Sequence, residues 1–588
     1  MPPGLRPRVL PFKKMAMKPS PSPCLPTQFL LFLLLLLLPS RGEASPQQGP
    51  TSYARFTFDA TMFPTEADYD YIVVGGGTAG CPLAATLSEG HRVLLLERGG
   101  APQEFPSLMN QEGFLRTLVE TDASDSPSHA FTSEDGVPNA RGRVLGGSSA
   151  INAGFYSRAH RGFFENSPAH DWNMALVNKS YEWVERAVTF QPVLRSWQSA
   201  IRDGLLEANV TPYNGFTVHH VAGTKIGAST FDSSGRRHSA ADLLSFANPD
   251  NIRVALRASV DRILLSSPHP GSRRRNQHAA IGVVYRDRFG RQHHAMTRPG
   301  GEVILCAGAL GSPQLLLLSG VGPRAYLASW GIPVALHNPD VGNCLYDNPR
   351  NGISIIPSVP LDHSLIQVVG IPESDAADAS FLEAASNVVP FFPPSRSVFL
   401  HDPASPLYVT VATLMEKVPG PFSAGSLRLA SLDVRDNPLV RFNYFSSPED
   451  LARCVAGVRR LGDVLGSRSM EEFRRVGWWG RREFRFVGPG LPANRSDEAA
   501  VAEFCRRTVS TLWHYHGGCV VGKVVDGEYR VTGVGSLRVV DGSTFSVSPG
   551  TNPQATLMMM GRYMGRKMIE ERRSRRRRRK ASSLAPHA

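Results

Sequence analysis

The apolar positions of the chain follow two patterns that predict two kinds of sheet. Short, mostly apolar runs occur at 71–74, 252–256 and 302–306, and such runs are typical of strands buried on both faces. From about 347 to 498 apolar and polar residues alternate and prolines are frequent, as in 407–413. That alternation predicts antiparallel strands with one solvated face. The chain therefore predicts an α/β unit joined to an α+β unit that carries an antiparallel sheet.

The length and the changes of pattern predict that each unit is assembled from separate segments. At 588 residues the chain is too long for a single ordinary core. A strand of the first type returns near the C-terminus, so the α/β unit is interrupted by the other. We assign the α/β unit to 68–170, 229–346 and 499–570, and the α+β unit to 171–228 and 347–498.

A glycine fingerprint after the first apolar run is the strongest local signal. Gly75, Gly77 and Gly80 have GxGxxG spacing between a predicted strand and a small-residue helix over 79–87. These glycines suit a tight turn, close approach of a pyrophosphate, and close packing of helix on strand. A second strand ends on Glu97, 22 positions after Gly75, where a carboxylate can bind ribose hydroxyls. The motif predicts dinucleotide binding, and because Glu97 would repel a 2′-phosphate it leaves FAD and NAD open.

The N-terminus predicts a secretory signal peptide covering 1–44. Basic residues precede an apolar run of ten residues at 29–38, and small residues precede a cleavage site after Ala44. Such a run is too short to span a bilayer, which needs about 20 residues. The alternative is a retained anchor. We expect a secreted protein with a polar lead-in at 45–67 and no transmembrane segment in the mature chain.

In a secreted protein the cysteines can form disulfides and three N-x-S/T sites can carry glycans. Loss of Cys24 with the signal leaves six cysteines, an even number in a compartment that permits disulfides. Cys81 and Cys306 lie in apparent sheet elements and are expected to be buried thiols. The possible glycan acceptors are Asn178, Asn209 and Asn494.

The formal charge of +13 comes largely from the two ends of the chain, and after the last apolar helix basic residues dominate 572–580. A solvated, disordered tail over 571–588 is the favoured interpretation. Nucleic-acid binding has little support in a secreted chain. Acidic wall polymers or lipid surfaces are the alternative partners.

Further motifs are spread along the chain. They are the glycine-serine turn in Gly142–Ala159, the strand-to-helix segment Gly308–Gly322, Trp513-His-Tyr-His-Gly-Gly-Cys519, and Thr551-Asn-Pro-Gln-Ala-Thr556. Together with the fingerprint they resemble the glucose-methanol-choline (GMC) flavoprotein oxidoreductases over nearly the whole mature chain. Within that family the residues of the last two motifs are most similar to those of the plant HOTHEAD-like branch, whose relatives include the mandelonitrile lyases. The resemblance implies a Rossmann-like FAD-binding domain assembled from discontinuous segments, plus an α+β substrate domain.

The resemblance also implies which residues bind FAD. Glu97 would bind the adenosine ribose and Val260 the adenine. Some relatives attach the flavin through a histidine, and Ile151 stands at that position here, which implies non-covalent FAD. Cys454 and Cys505 match a disulfide pair of the lyase relatives. The remaining implied cofactor residues are Gly75, Gly77, Thr78, Ala79, Gly80, Arg98, Val144, Ser148, Asn152, Ala153, Gly154, Phe155, Asp541, Gly542, Ser543, Gln554 and Ala555.

The catalytic pair of the family falls on His514, five residues before Cys519, and on Asn552. Oxidation of an alcohol requires removal of the hydroxyl proton, and imidazole titrates near working pH. The amide of Asn552 cannot exchange a proton, but it can hold the substrate oxygen. Dehydrogenase relatives commonly carry Asn at this position, whereas the lyase relatives carry His. His516 is expected to be structural, no metal is expected, and the weaker substrate contacts are Trp513 and Tyr346.

Three functions follow as hypotheses. The first is a secreted FAD-dependent alcohol dehydrogenase that oxidises long-chain ω-hydroxy fatty acids to ω-oxo or dicarboxylic acids for surface lipid (cutin, cuticle) formation. The second is a hydroxynitrile lyase that keeps its flavin as a structural relic. The third is a binding protein that has kept the fold without turnover. The electron acceptor stays open among oxygen, a quinone and a protein partner.

Overall fold

A computed structural model describes most of the chain between residues 53 and 583. The predicted signal peptide and most of the lead-in lie outside the described residues. The residues described are 53–62, 68–119, 121, 125–167, 171–267, 278–373, 380–391, 407–477 and 480–583.

The first sheet carries the fingerprint strand at its centre. Nine strands of the described chain form this sheet. The fingerprint strand Tyr69–Val74 and its parallel neighbour Val93–Leu96 are fully buried, which confirms the α/β prediction. The long strand Gln292–Leu305 joins the predicted hairpin to the predicted strand at 302–306, with a break in register between Thr297 and Glu302. Across the sheet the order is Thr57–Asp59, Ile252–Leu256, Val93–Leu96, Tyr69–Val74, Gln292–Leu305, His278–Arg286 and Ser259–Ser266, with Leu537–Val539 beside Gln292–Leu305 and Val534–Gly535 beside His278–Arg286.

The second sheet is antiparallel over most of its width, as the alternating pattern predicts. Its central strands alternate strictly, so one face packs on helices and the other is open to a cavity. Ile353, Leu382 and Leu414 belong to the helix-packed core, while their neighbours Ser354, Glu383 and Thr413 face the cavity. The order is Arg485–Val487, Pro349–Ile356, Leu407–Lys417, Phe381–Phe391, Val368–Ile371, Gly223–Ile226 and Tyr213–Phe216, with Ser510–Thr511 also beside Pro349–Ile356.

The described chain also contains a small four-stranded sheet, four two-stranded sheets and ten α-helices. The small sheet contains Leu439–Arg441, Gly425–Arg428, Asn343–Tyr346 and His516–Gly517. The helices are Gly80–Leu87, Phe114–Val119, Arg161–Glu165, Met174–Val188, Ser196–Glu207, Gly308–Leu318, Arg324–Ser329, Pro448–Gly466, Glu498–Thr508 and Gln554–Ser583.

Two hydrophobic cores divide the chain at boundaries that differ from the predicted ones. Helix Met174–Val188 buries Val177, Val184 and Val188 in the core of the first sheet, so the α/β unit continues past the predicted limit at 170. Helix Glu498–Thr508 packs in the core of the second sheet, so the α+β unit continues past 498. Amphipathic helices expose the same pattern to either core, and sequence alone cannot assign them.

The predicted disordered tail is wrong for 571–583, which continue the last helix, Gln554–Ser583. The start of the basic run is docked on the first unit. Arg572 donates to the Asp70 carboxylate at 2.6 Å, and Glu571 pairs with the buried Arg538 at 2.9 Å. These ion pairs extend the helix beyond its apolar part.

Two expectations about cysteines are confirmed. Cys454 and Cys505 form a disulfide that links helices Pro448–Gly466 and Glu498–Thr508, and Cys81 and Cys306 are buried thiols. In the described ranges no helix has the length and apolar character needed to cross a membrane.

Candidate functional site

A cavity of about 460 Å³ extends from the fingerprint to the open face of the second sheet. It brings together predicted residues that lie more than 400 positions apart in sequence, since Gly75 and Asn552 both line it. The predicted residues on its wall are Gly75, Gly77, Thr78, Ala79, Glu97, Arg98, Ser148, Ile151, Asn152, Ala153, Gly154, Phe155, Val260, Trp513, His514, Asp541, Gly542, Asn552 and Gln554.

The fingerprint geometry explains its glycines. Gly75 has φ +105°, and a Cβ on Gly80 would lie 1.9 Å from the Gly75 carbonyl oxygen, so the helix can approach the strand only through glycine. Gly147 from the second glycine motif has φ +59°, and a Cβ there would lie 2.7 Å from the Cα of Gly77. Two glycine turns therefore meet at one point of the cavity. A Cβ on Gly77 would have its nearest neighbour at 3.8 Å, which leaves room for a phosphate.

Glu97 ends the second strand with its carboxylate fully buried. The carboxylate accepts hydrogen bonds from the backbone N–H of Gly76 at 2.9 Å and of Gly99 at 2.8 Å. Burial raises its pKa, and these backbone donors and the Arg98 charge oppose that shift. An anchored acceptor at this position fits the ribose of a dinucleotide.

Arg141 is a cavity residue that the sequence analysis missed. Its guanidinium is buried, its Nε has no hydrogen-bond partner among the described residues, and burial lowers its pKa well below the ordinary value. A buried, unpaired cation is costly unless an acceptor or anion meets it. With Arg98 on the same wall, Arg141 fits a bound diphosphate or an acceptor edge of a flavin dinucleotide.

A hydrogen-bond network holds the middle of the cavity wall. Asn152 Nδ2 donates to Gln554 Oε1 at 2.8 Å, and Gln554 Nε2 donates to the Phe155 carbonyl at 2.6 Å. Asn152 Oδ1 accepts from the N–H of Gly154 and from Arg237, at 2.9 and 3.1 Å. The network fixes the segment that the family resemblance places along the flavin.

Asp541 lines the cavity and also binds the N-terminus of a neighbouring helix. Its buried carboxylate accepts from the N–H of Gly308 at 2.9 Å and from the Ser312 hydroxyl at 2.5 Å, at the N-terminus of helix Gly308–Leu318. Ser543 N–H donates to the same carboxylate at 2.8 Å. The Asp541 side chain therefore anchors this helix beside the fingerprint.

Five predicted site residues lie behind the wall. Gly80 packs on Gly75, Val144 belongs to a small apolar core, Ser543 bonds to Asp541, and Ala555 is buried in the main core. Tyr346, predicted as a weaker substrate contact, is not among the residues that line this cavity, and its ring stacks on His516 with ring centroids 5.2 Å apart.

His514 lies at the end of the cavity near the second sheet. Its buried Nδ1 has no hydrogen-bond partner within the described part of the chain. Burial, followed by the nearby charge of Lys417, lowers the pKa of the imidazole well below its ordinary value. The ring is therefore neutral at physiological pH and able to accept a proton. His516, by contrast, faces away, with Nδ1 3.0 Å from the His514 carbonyl oxygen, as expected for a structural residue.

The loop that carries His514 is held by Asp347. This buried carboxylate accepts from the His514 N–H at 2.9 Å, from the Thr511 hydroxyl at 2.7 Å and from the Tyr444 hydroxyl at 2.6 Å. Burial raises the pKa of Asp347 to about 7, against the opposing effect of these donors. Trp513 adopts φ +60°, a left-handed conformation that costs a bulky residue roughly 1 to 2 kcal/mol. The contacts of Asp347 on both sides of Trp513 stabilise this turn.

Asn552 faces the same end of the cavity, and its amide has a defined orientation. Lys417 Nζ lies 2.9 Å from Asn552 Oδ1. Because an ammonium can only donate, the oxygen of the amide must face Lys417 and the NH₂ group is left for other partners. The ammonium also lies 3.7 Å from the centroid of the Phe381 ring, and burial lowers its pKa to about 8.

Glu383 and Arg350 add two buried charges to this end of the wall. Burial raises the pKa of Glu383, while Lys417, Arg350 and the Asn552 side chain lower it. Neither Glu383 oxygen has a contact with hydrogen-bond geometry to another described residue, so Asn552 is near but does not saturate the carboxylate. Arg350 donates to the Ser510 hydroxyl at 3.1 Å and lies over the Trp513 ring. Sequence reasoning missed Glu383, Lys417 and Arg350 because they lie in strands whose pairing brings them together.

The comparisons with known proteins decide the family. The description "GMC oxidoreductase" matches 69–350 with its N-terminal part and 421–561 with its C-terminal part. The chain belongs to the GMC oxidoreductase family. As a member of this family it is an FAD-dependent oxidoreductase, and the fingerprint, Glu97 and the unpaired Arg141 fit the cofactor.

Relatives with similar sequences have different names. The chain is 63% identical to an (R)-mandelonitrile lyase-like protein of Arabidopsis thaliana, covering 92% of this chain and 97% of that one. It is 46% identical to a sinapyl alcohol oxidase of Nesocodon mauritianus, covering 92% and 96%. It is 42% identical to Protein HOTHEAD of Arabidopsis thaliana, covering 93% and 98%.

A solved structure shares the fold. A formate oxidase variant of Aspergillus oryzae superposes with a TM-score of 0.70 at 19% identity, covering 87% of this chain and 100% of that one. The predicted FAD-binding unit with an attached substrate unit is confirmed by this likeness and by the family match.

Proposed function

We propose that this GMC oxidoreductase oxidises the carbinol of a primary alcohol, with His514 as the proton acceptor and Asn552 as the group that holds the alcohol oxygen. The observation that carries the proposal is the Lys417–Asn552 hydrogen bond at the end of the cavity that His514 also lines. It leaves the amide NH₂ of Asn552 as a donor, while the neutral imidazole can accept.

In this proposal the chain contributes a base, an oxygen site and a dry environment. His514 removes the hydroxyl proton, and the lowered pKa of its imidazole keeps it in the accepting form. The Asn552 NH₂ donates to the oxygen as negative charge develops on it. The positive charges of Lys417 and Arg350 near this oxygen favour the alkoxide, and burial strengthens their effect. When bound, FAD supplies the acceptor for the hydride of the carbinol carbon.

We further propose long-chain ω-hydroxy fatty acids as substrates, giving ω-oxo or dicarboxylic acids for surface lipid barriers. The far end of the cavity wall supports a long apolar chain, since Val389, Val411 and Val487 line it there. The relationship to HOTHEAD and to an alcohol oxidase is consistent with alcohol oxidation.

The second candidate is a hydroxynitrile lyase, which the 63% identity to a mandelonitrile lyase-like protein favours. A lyase needs no hydride transfer, and its flavin is a structural relic. Against this candidate, the second catalytic position holds Asn552 instead of a histidine, so one of the two imidazoles is absent.

Anaerobic mixing separates the candidates. Purified holoprotein is mixed with an ω-hydroxy fatty acid while the flavin absorbance is followed, and in parallel with mandelonitrile while cyanide is measured. Bleaching of the flavin by the alcohol supports the alcohol dehydrogenase. Cyanide release without bleaching by any alcohol contradicts the proposal and supports the lyase. If the flavin is not bleached and no cyanide is released, the third hypothesis, a binding protein without turnover, is favoured.

His514→Ala provides the residue-level test. The variant should reduce the bleaching rate by about 10² to 10⁴-fold with FAD still bound, because only the base is removed. Loss of FAD from the variant would mean that His514 is structural. Tyr346→Phe is the matched control because its ring lies outside the cavity, and it should bleach at the wild-type rate.

Secretion and non-covalent FAD belong to the same proposal. Asn178, Asn209 and Asn494 are exposed, and the Cys454–Cys505 disulfide suits an oxidising compartment. The mature protein should start near residue 45 and shift in mass after glycosidase treatment.

Because Ile151 offers no nucleophile, acid precipitation should release all of the flavin into the supernatant. Reoxidation by oxygen, a soluble quinone or a protein fraction identifies the electron acceptor.

A further inference from the structure

Several buried polar atoms on the cavity wall have no partner among the described residues. They are Arg141 Nε, His514 Nδ1, both carboxylate oxygens of Glu383, and Asn387 Oδ1. Arg141 faces the nucleotide part, and His514 and Glu383 belong to the reacting end. The family chemistry gives no role to Asn387. A buried acceptor without a partner is energetically unfavourable. It therefore marks a place where a bound ligand can supply the missing hydrogen-bond donor.

Asn387 lies on the open face of the second sheet, beyond the reacting end. Glu383, Ala385, Asn387 and Val389 alternate along strand Phe381–Phe391 and all line the cavity. Four residues of strand separate Asn387 from Glu383, which is about 13 Å. The amide therefore lies along the path of any elongated substrate that enters over this face.

The neighbours of Asn387 do not satisfy it. Its partner on the adjacent strand is Val411, which has no polar side-chain atom. Thr413, diagonal to Asn387 on that strand, shares a hydrogen bond of 3.0 Å with Ser354 of the next strand. Toward the reacting end the wall is small or apolar at Ala385, and toward the far end it is apolar at Val389. The Asn387 side-chain oxygen is thus a buried acceptor without a partner among the described residues, between apolar positions of the cavity wall, a pattern that hydrophobic packing alone does not require.

We propose that Asn387 holds a second hydroxyl group of the substrate, carried several carbon atoms away from the carbinol that reacts. This inference rests on the proposed function, since it names the alcohols that the site prefers. A hydroxyl donates to the amide oxygen and can also accept from the amide NH₂, so it suits Asn387 in either orientation. A plain alkyl chain leaves the amide unpaired. The preferred class is therefore an elongated alcohol with a second hydroxyl, on a chain or on an aromatic ring.

A panel of long primary alcohols tests the proposal. Each carries a second hydroxyl at a successive carbon atom, and the unsubstituted alcohol is the reference. The wild-type holoenzyme should reduce its flavin with the highest kcat/KM for one or two hydroxyl positions. Asn387→Leu keeps the size of the side chain and removes its polar atoms. It should lower kcat/KM for the preferred diols by about tenfold and leave the unsubstituted alcohol within about twofold of wild type.

Val388→Ala is the matched control because Val388 directly follows Asn387, points to the opposite face of the strand and is 44% exposed. It should preserve the preference for the hydroxylated alcohol. The proposal is overturned if wild type reduces all alcohols equally well, or if Asn387→Leu keeps the preference. If no alcohol bleaches the flavin, the proposed function itself fails and this inference fails with it, an outcome distinct from bleaching without preference.

Discussion

The carboxylate of Asp347 accepts a hydrogen bond from the backbone N–H of His514 at 2.9 Å. Asp347 follows the small-sheet strand Asn343–Tyr346, which pairs with His516–Gly517 on the other side of the histidine. A side chain and a strand thus fix the position of one imidazole from two directions. The position of the base that we propose therefore depends on Asp347, which is not among the residues that line the cavity.

Replacement of Asp347 by Asn should change both stability and its pH dependence. Because the pKa of Asp347 is raised to about 7 from 3.8, the folded state holds a proton in this window that the unfolded state has lost. Wild-type stability therefore carries a contribution that falls as pH rises from about 4 to 7. The difference in melting temperature, wild type minus Asp347→Asn, should shrink over that range. Parallel curves would show that Asp347 does not titrate there.

Gly80→Ala should prevent FAD binding. The added Cβ would lie 1.9 Å from the Gly75 oxygen, so the strand and helix must move apart and the phosphate turn with them. We expect protein with little flavin absorbance and a lower melting temperature. Gly90→Ala is the control, since nothing lies within 4 Å of its Cβ, and it should keep full flavin content. Normal FAD content in Gly80→Ala would refute this account of the turn.

Lys417→Met should slow alcohol oxidation by freeing the amide of Asn552. We expect the limiting rate of flavin reduction to fall about tenfold or more, because a misplaced donor no longer stabilises the developing alkoxide. The pKa of Lys417 is lowered to about 8, so the ammonium is lost as pH rises through that value. The wild-type reduction rate should decline above pH 8, and Lys417→Met should lack this decline. Lys417→Arg should restore part of the rate at neutral pH.

Removal of the Cys454–Cys505 disulfide should destabilise the second unit. The cysteines are separated by 51 positions, and closing such a loop in the unfolded chain is worth about 4 kcal/mol in the chain-entropy account. Replacing both by alanine should lower the melting temperature by several degrees and leave FAD bound. Cys344→Ser, which alters a free thiol, should melt like wild type. An unchanged melting temperature in the double variant would contradict the prediction.

Features that depend on a short local segment could be predicted from the sequence, whereas features that depend on how distant strands pair could not. Gly75, Gly77 and Glu97 follow from backbone requirements within one strand-turn-helix unit, so their places could be predicted. Arg350, Glu383 and Lys417 are separate charges in alternating segments, and only strand pairing brings them beside Asn552. The family resemblance located His514 and Asn552 but offered no reason for their positions.

Helices show the same limit. The core that each of Met174–Val188 and Glu498–Thr508 joins depends on the three-dimensional course of the chain, so the predicted boundaries were shifted. The arginines after 571 suggested disorder because repulsion is visible in sequence, whereas the acceptor for Arg572, Asp70, lies some five hundred positions away.

The last helix begins at Gln554, two residues after Asn552, and Gly561 and Gly565 press it against the backbone of Ala79 and the side chain of Thr86. The first half of this helix therefore packs directly behind the fingerprint helix and begins beside the amide that we propose as the oxygen-holding group. A C-terminal truncation should keep the chain through Arg572, because a shorter helix would pack less firmly against the flavin site. A purification tag should be placed after the run of arginines.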